Sequence, residues 1–440
     1  MTDPHRLTYS GAVAALTERG RFGVSMGLER VERLMAEAGN PERSLRGALV
    51  AGTNGKGSVV AMLRSVLSAA GLRVGTMPKP HLVSYRERIA VNGEPIPAQD
   101  FADAVARVLP AIDRVAAQVG PPTEFEALTA AAITELARRE VDLAVVEVGL
   151  GGRLDATNVL DLGVAVITNV QHDHEKILGP TLAHIGREKA AIIKRGNVAV
   201  TGASGRGLRP IVERAAAVDA RLLRAGPRQG YRATLRHSGW DGITVDLASP
   251  RRTLPGVTIG LLGAHQAANA AVALAVLDAL RMRWDVEVDE PALRRGLADA
   301  RWAGRLELLD GSRVGLRRVL LDGAHNPAGG AALARALADL GLRRPTVVFG
   351  AMRGKNVRGV LAALAPLEPR FVFTRVADAG AHEPAELAAA WRSLGGGNAR
   401  TAATPADALG MAEGDPVVVA GSLYLVGEVR GMITGTGEDA

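Results

Sequence analysis

Short, unbroken apolar runs recur along this chain, each closed near a glycine and followed by a helical pattern. "RGALVAG", "RVGTM", "VDLAVVEVG" and "LGVAVITNV" lie in the first half; "VGLRRVLLDGAHNP", "PTVVFGAM", "RFVFTRV" and "DPVVVAGS" lie in the second. Runs without polar alternation belong to strands buried on both faces, and such strands form parallel sheets covered by helices. The chain therefore reads as α/β. Helices are expected over 56–70, 98–118 and 123–139, and at "HQAANAAVALAVLDAL", with a shorter one ending near Ala300. Between about Gly230 and Gly260 the pattern alternates and carries Gly and Pro, which predicts a small antiparallel insertion. At 440 residues the chain exceeds one ordinary core, and a boundary near 300–304 divides it into units 1–300 and 301–440. With aromatics at 3%, Ala, Val and Leu must fill the cores.

A net charge of +7 and a pI near 10.1 favour anionic partners. No basic run is interleaved with stacking aromatics, so small anions fit better than nucleic acid. Zero cysteines exclude disulfides and thiolate metal sites. The start, "MTDPHRLTYSGAVAALTERG", lacks a signal-peptide apolar core, and no apolar stretch approaches a membrane span. A soluble cytoplasmic protein without membrane partners is expected.

"LVAGTNGKGSVVAML", Leu49 to Leu63, places a glycine-rich turn between a strand and a helix. Successive backbone N–H groups in such a turn cradle phosphate oxygens. Lys56 can reach the outer phosphates, and the Ser58 hydroxyl can bind Mg²⁺. The spelling departs from G-x-x-x-x-G-K-[ST], because Gly57 separates Lys56 from Ser58 and Gly52 lies only three residues before Gly55.

Glu147 closes another apolar run, at the strand end where α/β ligand sites form, and an acid there can hold a nucleotide's metal. Strand-end acids are also common without such a role. "ITNVQHDHEKILG" brings His172, Asp173 and His174 together at a metal-ligand spacing. Lys189, fifteen residues beyond His174, has the sequence context of an ordinary surface lysine.

"AGTNGKGS", "PHLVSYRERIAVNGEPI", "EVGLGGRLDATN", "DHEKILGPTLAHIGREKAAIIK", "HQAANAAVAL", "GRLELL", "LDGAHNPAGG" and "AGSLYLVGEV" follow in this order. Together they resemble the folylpolyglutamate synthase/dihydrofolate synthase family of the Mur-ligase superfamily, over about residues 22 to 430. G-T-N-G-K-G-[ST] is that family's form of the phosphate loop. The resemblance implies a Mur-ligase-type ATP-binding domain with a mostly parallel sheet, then a C-terminal Rossmann-like glutamate-ligase domain. It further implies an ATP-dependent acid–amino-acid ligase joining L-glutamate to dihydropteroate or folates through an acyl phosphate.

The same resemblance implies roles residue by residue. Thr53, Asn54, Gly55, Lys56, Gly57 and Ser58 would cradle ATP, with Asn269, Arg305 and Asp322 as further contacts and His325 near the phosphate end. Ser58 would hold one Mg²⁺, and Glu147 and His174 a second, organised by Lys189 carbamylated with CO₂. The pteroate-bearing substrate would touch Ser25, Met26, Gly27 and Leu28, then Thr123, Glu124, Phe125 and Glu126, then Leu154, Asp155 and Ala156. Phe125 reads equally as core packing. Ser422 would stand near the glutamate site, and the family's usual state is a monomer. One position departs: before "PHL" the family carries Ser as a metal ligand, whereas this chain has Lys79. A polyglutamate-only synthase, another Mur-type ligase and a nucleotide-dependent switch are the alternatives. The last needs neither "DGAHNP" nor the Lys189 segment.

Overall fold

The computed structural model describes residues 7–20 and 27–437. Ser25 and Met26, expected at the substrate, lie outside the described residues.

Two large sheets organise the molecule. The first has eight strands, in the order Glu94–Pro95, Ala90–Val91, Val74–Met77, Leu143–Glu147, Gly47–Ala51, Gly163–Ile167, Val198–Thr201 and Arg221–Arg224. All pairings are parallel except those of the short hairpin at the first edge. Gly47–Ala51 is central, and its five residues are all buried, as are those of both neighbours. The register sets Val50 beside Glu147 and Ala51 beside Ile167, so the three strands end together. The loops leaving them therefore meet at one edge of the sheet.

Helices cover both faces. Ala98–Val119, Glu124–Arg138 and Tyr9–Gly20 close one. Lys56–Ala69, Gln266–Trp284 and Glu290–Ala298 close the other, where a three-stranded antiparallel sheet, Arg232–Gly239, Gly242–Ala248 and Thr253–Ile259, packs with them. That sheet is the expected insertion. Gln266–Trp284 is buried along most of its length, which its run of Ala and Val allows.

The second sheet has six strands, in the order Arg305–Asp310, Arg318–Asp322, Val417–Ala420, Thr346–Phe349, Arg370–Thr374 and Arg400–Ala402. Only the first is antiparallel to its neighbour. One aromatic cluster fills this core: Phe371 stacks on Phe373 at 4.9 Å, and Phe349 and Trp391 meet this pair edge-on. Among the described residues no helix is long and apolar enough to cross a membrane.

The helix that begins with the phosphate loop, Lys56–Ala69, is fixed from behind by Gly296, whose added Cβ would lie 2.3 Å from Val66 Cα. Helix axes this close leave no room for a side chain. Gly296→Leu is expected to lower unfolding stability by about 1–3 kcal/mol, read from the midpoint of chemical denaturation.

Candidate active site

The carboxyl ends of the two parallel sheets face a shared cavity of about 1030 Å³. From the first sheet come the loop Gly52–Ser58, Glu147 with the segment after it, and Asn169, Gln171, Asp173 and His174. From the second come Arg305, Asp322, His325 and Asn326, with Leu423 and Tyr424 beyond them.

The loop is a backbone structure held by its neighbour. Thr53 N donates to Asn169 O at 3.2 Å, and Asn54 N donates to Asn169 Oδ1 at 3.0 Å. Asn54 Nδ2 donates to Gln171 Oε1 at 2.7 Å, and Thr168 Oγ1 donates to Asn54 O at 2.6 Å. Gly52 has φ +153°, and an added Cβ would fall 1.9 Å from Thr168 Oγ1. Gly55, at φ +81°, precedes the helix and lies against Asn269 Oδ1. Asn269 Nδ2 donates to Gln266 Oε1 at 2.8 Å, and Gln266 Nε2 in turn donates to Ser58 Oγ at 3.3 Å. The Trp302 indole covers Gly57, leaving no space for a Cβ there.

Charges crowd the turn. Lys56 Nζ donates to the carbonyls of Gly52 and Thr53, at 3.1 and 3.2 Å, and stands 4.0 Å from Glu147 Oε1. Lys189, 3% exposed, donates to the same Gly52 carbonyl at 2.9 Å. Burial, reinforced by the charge of Lys56, pushes the Lys189 pKa down to about 7. Glu147 is buried, and Oε2 has no hydrogen-bond partner. Burial raises its pKa against the opposing charge of Lys56. His174 lines the cavity with its side chain 39% exposed, and partial burial lowers its pKa. His172, also exposed, stands off the cavity wall with Nδ1 2.8 Å from Glu175 Oε1.

These residues suit a divalent cation. An orphaned buried carboxylate oxygen faces the same cavity as the Ser58 hydroxyl and the His174 ring. Among the described residues no three His, Asp or Glu side chains form a ready cage. Magnesium takes few protein ligands and keeps water or phosphate oxygens in its other positions, so a cage is not required.

In the second sheet Asp322 accepts from Leu306 N and Ala324 N, each at 2.9 Å, and burial raises its pKa against the charge of Arg305. The neighbouring His325 bonds through Nδ1 to Gly323 O at 2.8 Å, which makes Nδ1 the protonated nitrogen. Burial and the Arg305 charge push its pKa down to about 4. Asn326 Nδ2 reaches across the cavity to Asp173 Oδ2 at 3.2 Å and joins the two sheets' loops.

The remaining wall is formed by Gly27, Thr123, Glu124, Phe125, Glu126, Leu154, Asp155 and Ala156. Thr123 and Glu126 form a capping box for Glu124–Arg138, and Arg30 grips the Glu126 carboxylate from 2.8 Å. Glu124 accepts from Tyr85 Oη at 2.7 Å. Leu28 precedes the helix Glu29–Glu37 just off the wall, and Ser422 caps the last helix through Tyr424 N at 3.2 Å. Lys79, Arg88, Asn169, Gln171, His265 and Gln266 also line the cavity. Arg88 lies within a motif visible in the sequence. The amides also fall within such motifs, but the sequence alone gives them no role, because only the fold brings them to the loop.

The Mur ligase middle domain matches residues 50–277, and the Mur ligase glutamate ligase domain matches residues 304–423. The dihydrofolate synthase/folylpolyglutamate synthase of Bacillus subtilis is 33% identical, over 96% of this chain and 98% of that protein. A probable bifunctional folylpolyglutamate synthase/dihydropteroate synthase of Halobacterium salinarum is 35% identical over 96% of this chain, which spans about half (51%) of that protein's length. Mycobacterium tuberculosis folylpolyglutamate synthase, solved with ADP and AMPPCP, superposes with a TM-score of 0.86 at 33% identity, covering 96% of this chain and 99% of that one. The Escherichia coli protein solved with DHPP and ADP gives 0.83 at 30% identity, covering 96% and 98%.

The Gly52 turn admits a direct test. Gly52→Ala drives a methyl group into Thr168 and removes the cradle's shape. It is expected to weaken binding of a nucleoside triphosphate at least about 10-fold by calorimetry while circular dichroism stays unchanged. Equal affinity would remove the turn from the phosphate site.

Proposed function

Because this chain belongs to the folylpolyglutamate synthase/dihydrofolate synthase family of Mur ligases, we propose that it is an ATP-dependent ligase joining L-glutamate to dihydropteroate and to reduced folates. The observation that carries this reading is the cavity between the two sheets. It unites a phosphate loop, a buried acid with a free oxygen and a wall that carries the Phe125 ring. The related proteins' names and bound ligands supply the chemical identity of the reactants. In this reading ATP lies on Thr53–Ser58 with Asn269, Arg305 and Asp322 around it, and residues 1–300 and 301–440 act as the two closing units.

The reaction needs two steps. A carboxylate oxygen of the acceptor bonds to the γ-phosphorus while the bond from phosphorus to the ADP oxygen breaks. The glutamate amine then bonds to the acyl carbon, phosphate departs with the electron pair, and the nitrogen gives up a proton. Carboxylate and triphosphate repel each other, so positive charge must sit where they meet. Lys56 would leave the Gly52 and Thr53 carbonyls for the phosphates. One Mg²⁺ held by Ser58, and a second held by Glu147 and His174, would supply further neutralisation. His325, uncharged at neutral pH, would offer Nε2 as an acceptor at the phosphate end. The Asn326–Asp173 bridge helps exclude water from the acyl phosphate by holding the two loops together.

Lys189 would be carbamylated. Only the free amine attacks CO₂, forming an N–C bond and releasing a proton, and a pKa near 7 keeps a large share of the amine free at neutral pH. Carbamate and activity should therefore both rise from about pH 6 to about pH 8. The check is nuclear magnetic resonance with carbon-labelled bicarbonate. Lys189→Ala should abolish the carbamate signal and most of the turnover, with partial rescue by short carboxylic acids.

The decisive assay is sustained, multiple-turnover ADP release, which should require the acceptor acid and glutamate together. Lys56→Ala should reduce it by about 1000-fold with the fold intact. ADP release without either co-substrate would indicate a nucleotide switch. Extension of reduced folates without conversion of dihydropteroate would reduce the activity to a polyglutamate synthase.

A further inference from the structure

Lys79 follows the strand Val74–Met77, and its side chain, at 10% exposure, reaches the cavity. Its Nζ has no hydrogen-bond partner within the protein. The nearest carboxylate oxygen, Asp155 Oδ1, is 3.9 Å away and beyond hydrogen-bond range, and the Phe125 ring centroid is 3.8 Å away. Asp155 is occupied by its own loop, with Oδ2 accepting from Leu150 N at 2.8 Å and Oδ1 from Thr157 N at 3.0 Å.

Beneath these groups lies the bare Cα of Gly149. An added Cβ would stand 2.9 Å from Asp155 Oδ2, 3.3 Å from Phe125 Cζ and 3.5 Å from Lys79 Nζ. Glu147 and Lys56 are charged neighbours on the phosphate side. The ammonium, its nitrogen shielded from solvent, thus lies between the Phe125 wall and the charged groups of the phosphate loop. A buried ammonium held only by a cation–π contact with Phe125 and a long ion pair with Asp155 keeps unsatisfied N–H donors, and an arriving anion would relieve that cost. Lys56 and Lys189 already donate to the Gly52 carbonyl.

We propose that Lys79 anchors the carboxylate of the acceptor acid, holding it over Gly149 and beside Phe125, facing the γ-phosphate. This rests on the ligase reading above and specifies which residue handles the nucleophile. Lys79 retains its protons throughout and donates hydrogen bonds to the carboxylate oxygen that is not attacking. A fixed cation there lowers the repulsion between two approaching anions and orients one of them. It also gives a role to the position where the resembling family has Ser. Here a side-chain ammonium does part of the work of a divalent ion.

The test is equilibrium binding without turnover. The full-length protein, saturated with a non-hydrolysable ATP analogue, is titrated by calorimetry with dihydropteroate and with its neutral carboxamide. Wild type should favour the acid by about 10-fold or more, as a charge-assisted bond gives. Lys79→Met should lose that preference by weakening acid binding alone, with carboxamide affinity within about 2-fold. Lys79→Arg should retain part of the preference. Equal weakening of both ligands, or undiminished preference in Lys79→Met, overturns the assignment and leaves the ligase reading standing. So does a wild type that binds both forms equally. A wild type that binds the nucleotide analogue but neither form overturns the acceptor reading, and this assignment with it.

Discussion

The cleft is organised around one backbone carbonyl, that of Gly52, at the carboxyl end of the central strand. A carbonyl oxygen has two lone pairs, and here both are met by ammonium groups, Lys56 at 3.1 Å and Lys189 at 2.9 Å. The two cations arrive from different helices and are held near each other by a neutral atom. Their mutual repulsion, added to burial, brings Lys189 to about 7, while Lys56 stays beside the acid Glu147. The φ of Gly52 aims the carbonyl inward, and Thr168 occupies the space a side chain would need. Loop shape, lysine chemistry and acid placement thus follow from one turn.

Around that turn the charges are unevenly matched. Lys56, Arg305, Lys79 and Arg88 all act on Glu147, the buried acid at the cleft's centre. Such a surplus of positive potential in a partly enclosed space concentrates anions. It suits a reaction whose partners are a triphosphate, an aromatic carboxylate and an amino acid. The basic character of the whole chain has its local counterpart here.

Most parallel strands buried on both faces are legible in the sequence, because burial imposes an unbroken apolar run, although the four-residue strand Val198–Thr201, equally buried, is too short to stand out. Edge strands are not. Arg221–Arg224 is half exposed and polar at both ends, Arg400–Ala402 has three residues, and the hairpin strands have two each. The phosphate loop is legible because its backbone geometry demands glycine at fixed spacing. Gln266 and Asn169 lie inside motifs visible in the sequence, yet their individual roles show only when the fold sets them against the loop. Glu126 shows a different ambiguity. T-x-x-E is equally the spacing of a helix cap, and here the carboxylate serves the cap and Arg30 while its residue also lines the wall. Lys79 stands out in the sequence only as a departure, and its burial against Phe125 becomes visible only in three dimensions.

Trp302 belongs to the short connection between the last helix of the first unit and the first strand of the second, yet its indole lies on Gly57. The ring therefore fills part of the first turn of the phosphate-loop helix with a piece of the linker. Any swing of the second unit must slide or lift that ring, and any ligand that reshapes the loop must act on it in return. The position of the loop's helix and that of the linker are thus fixed against each other by one contact. A linker side chain thereby becomes part of the surface that shapes the phosphate loop.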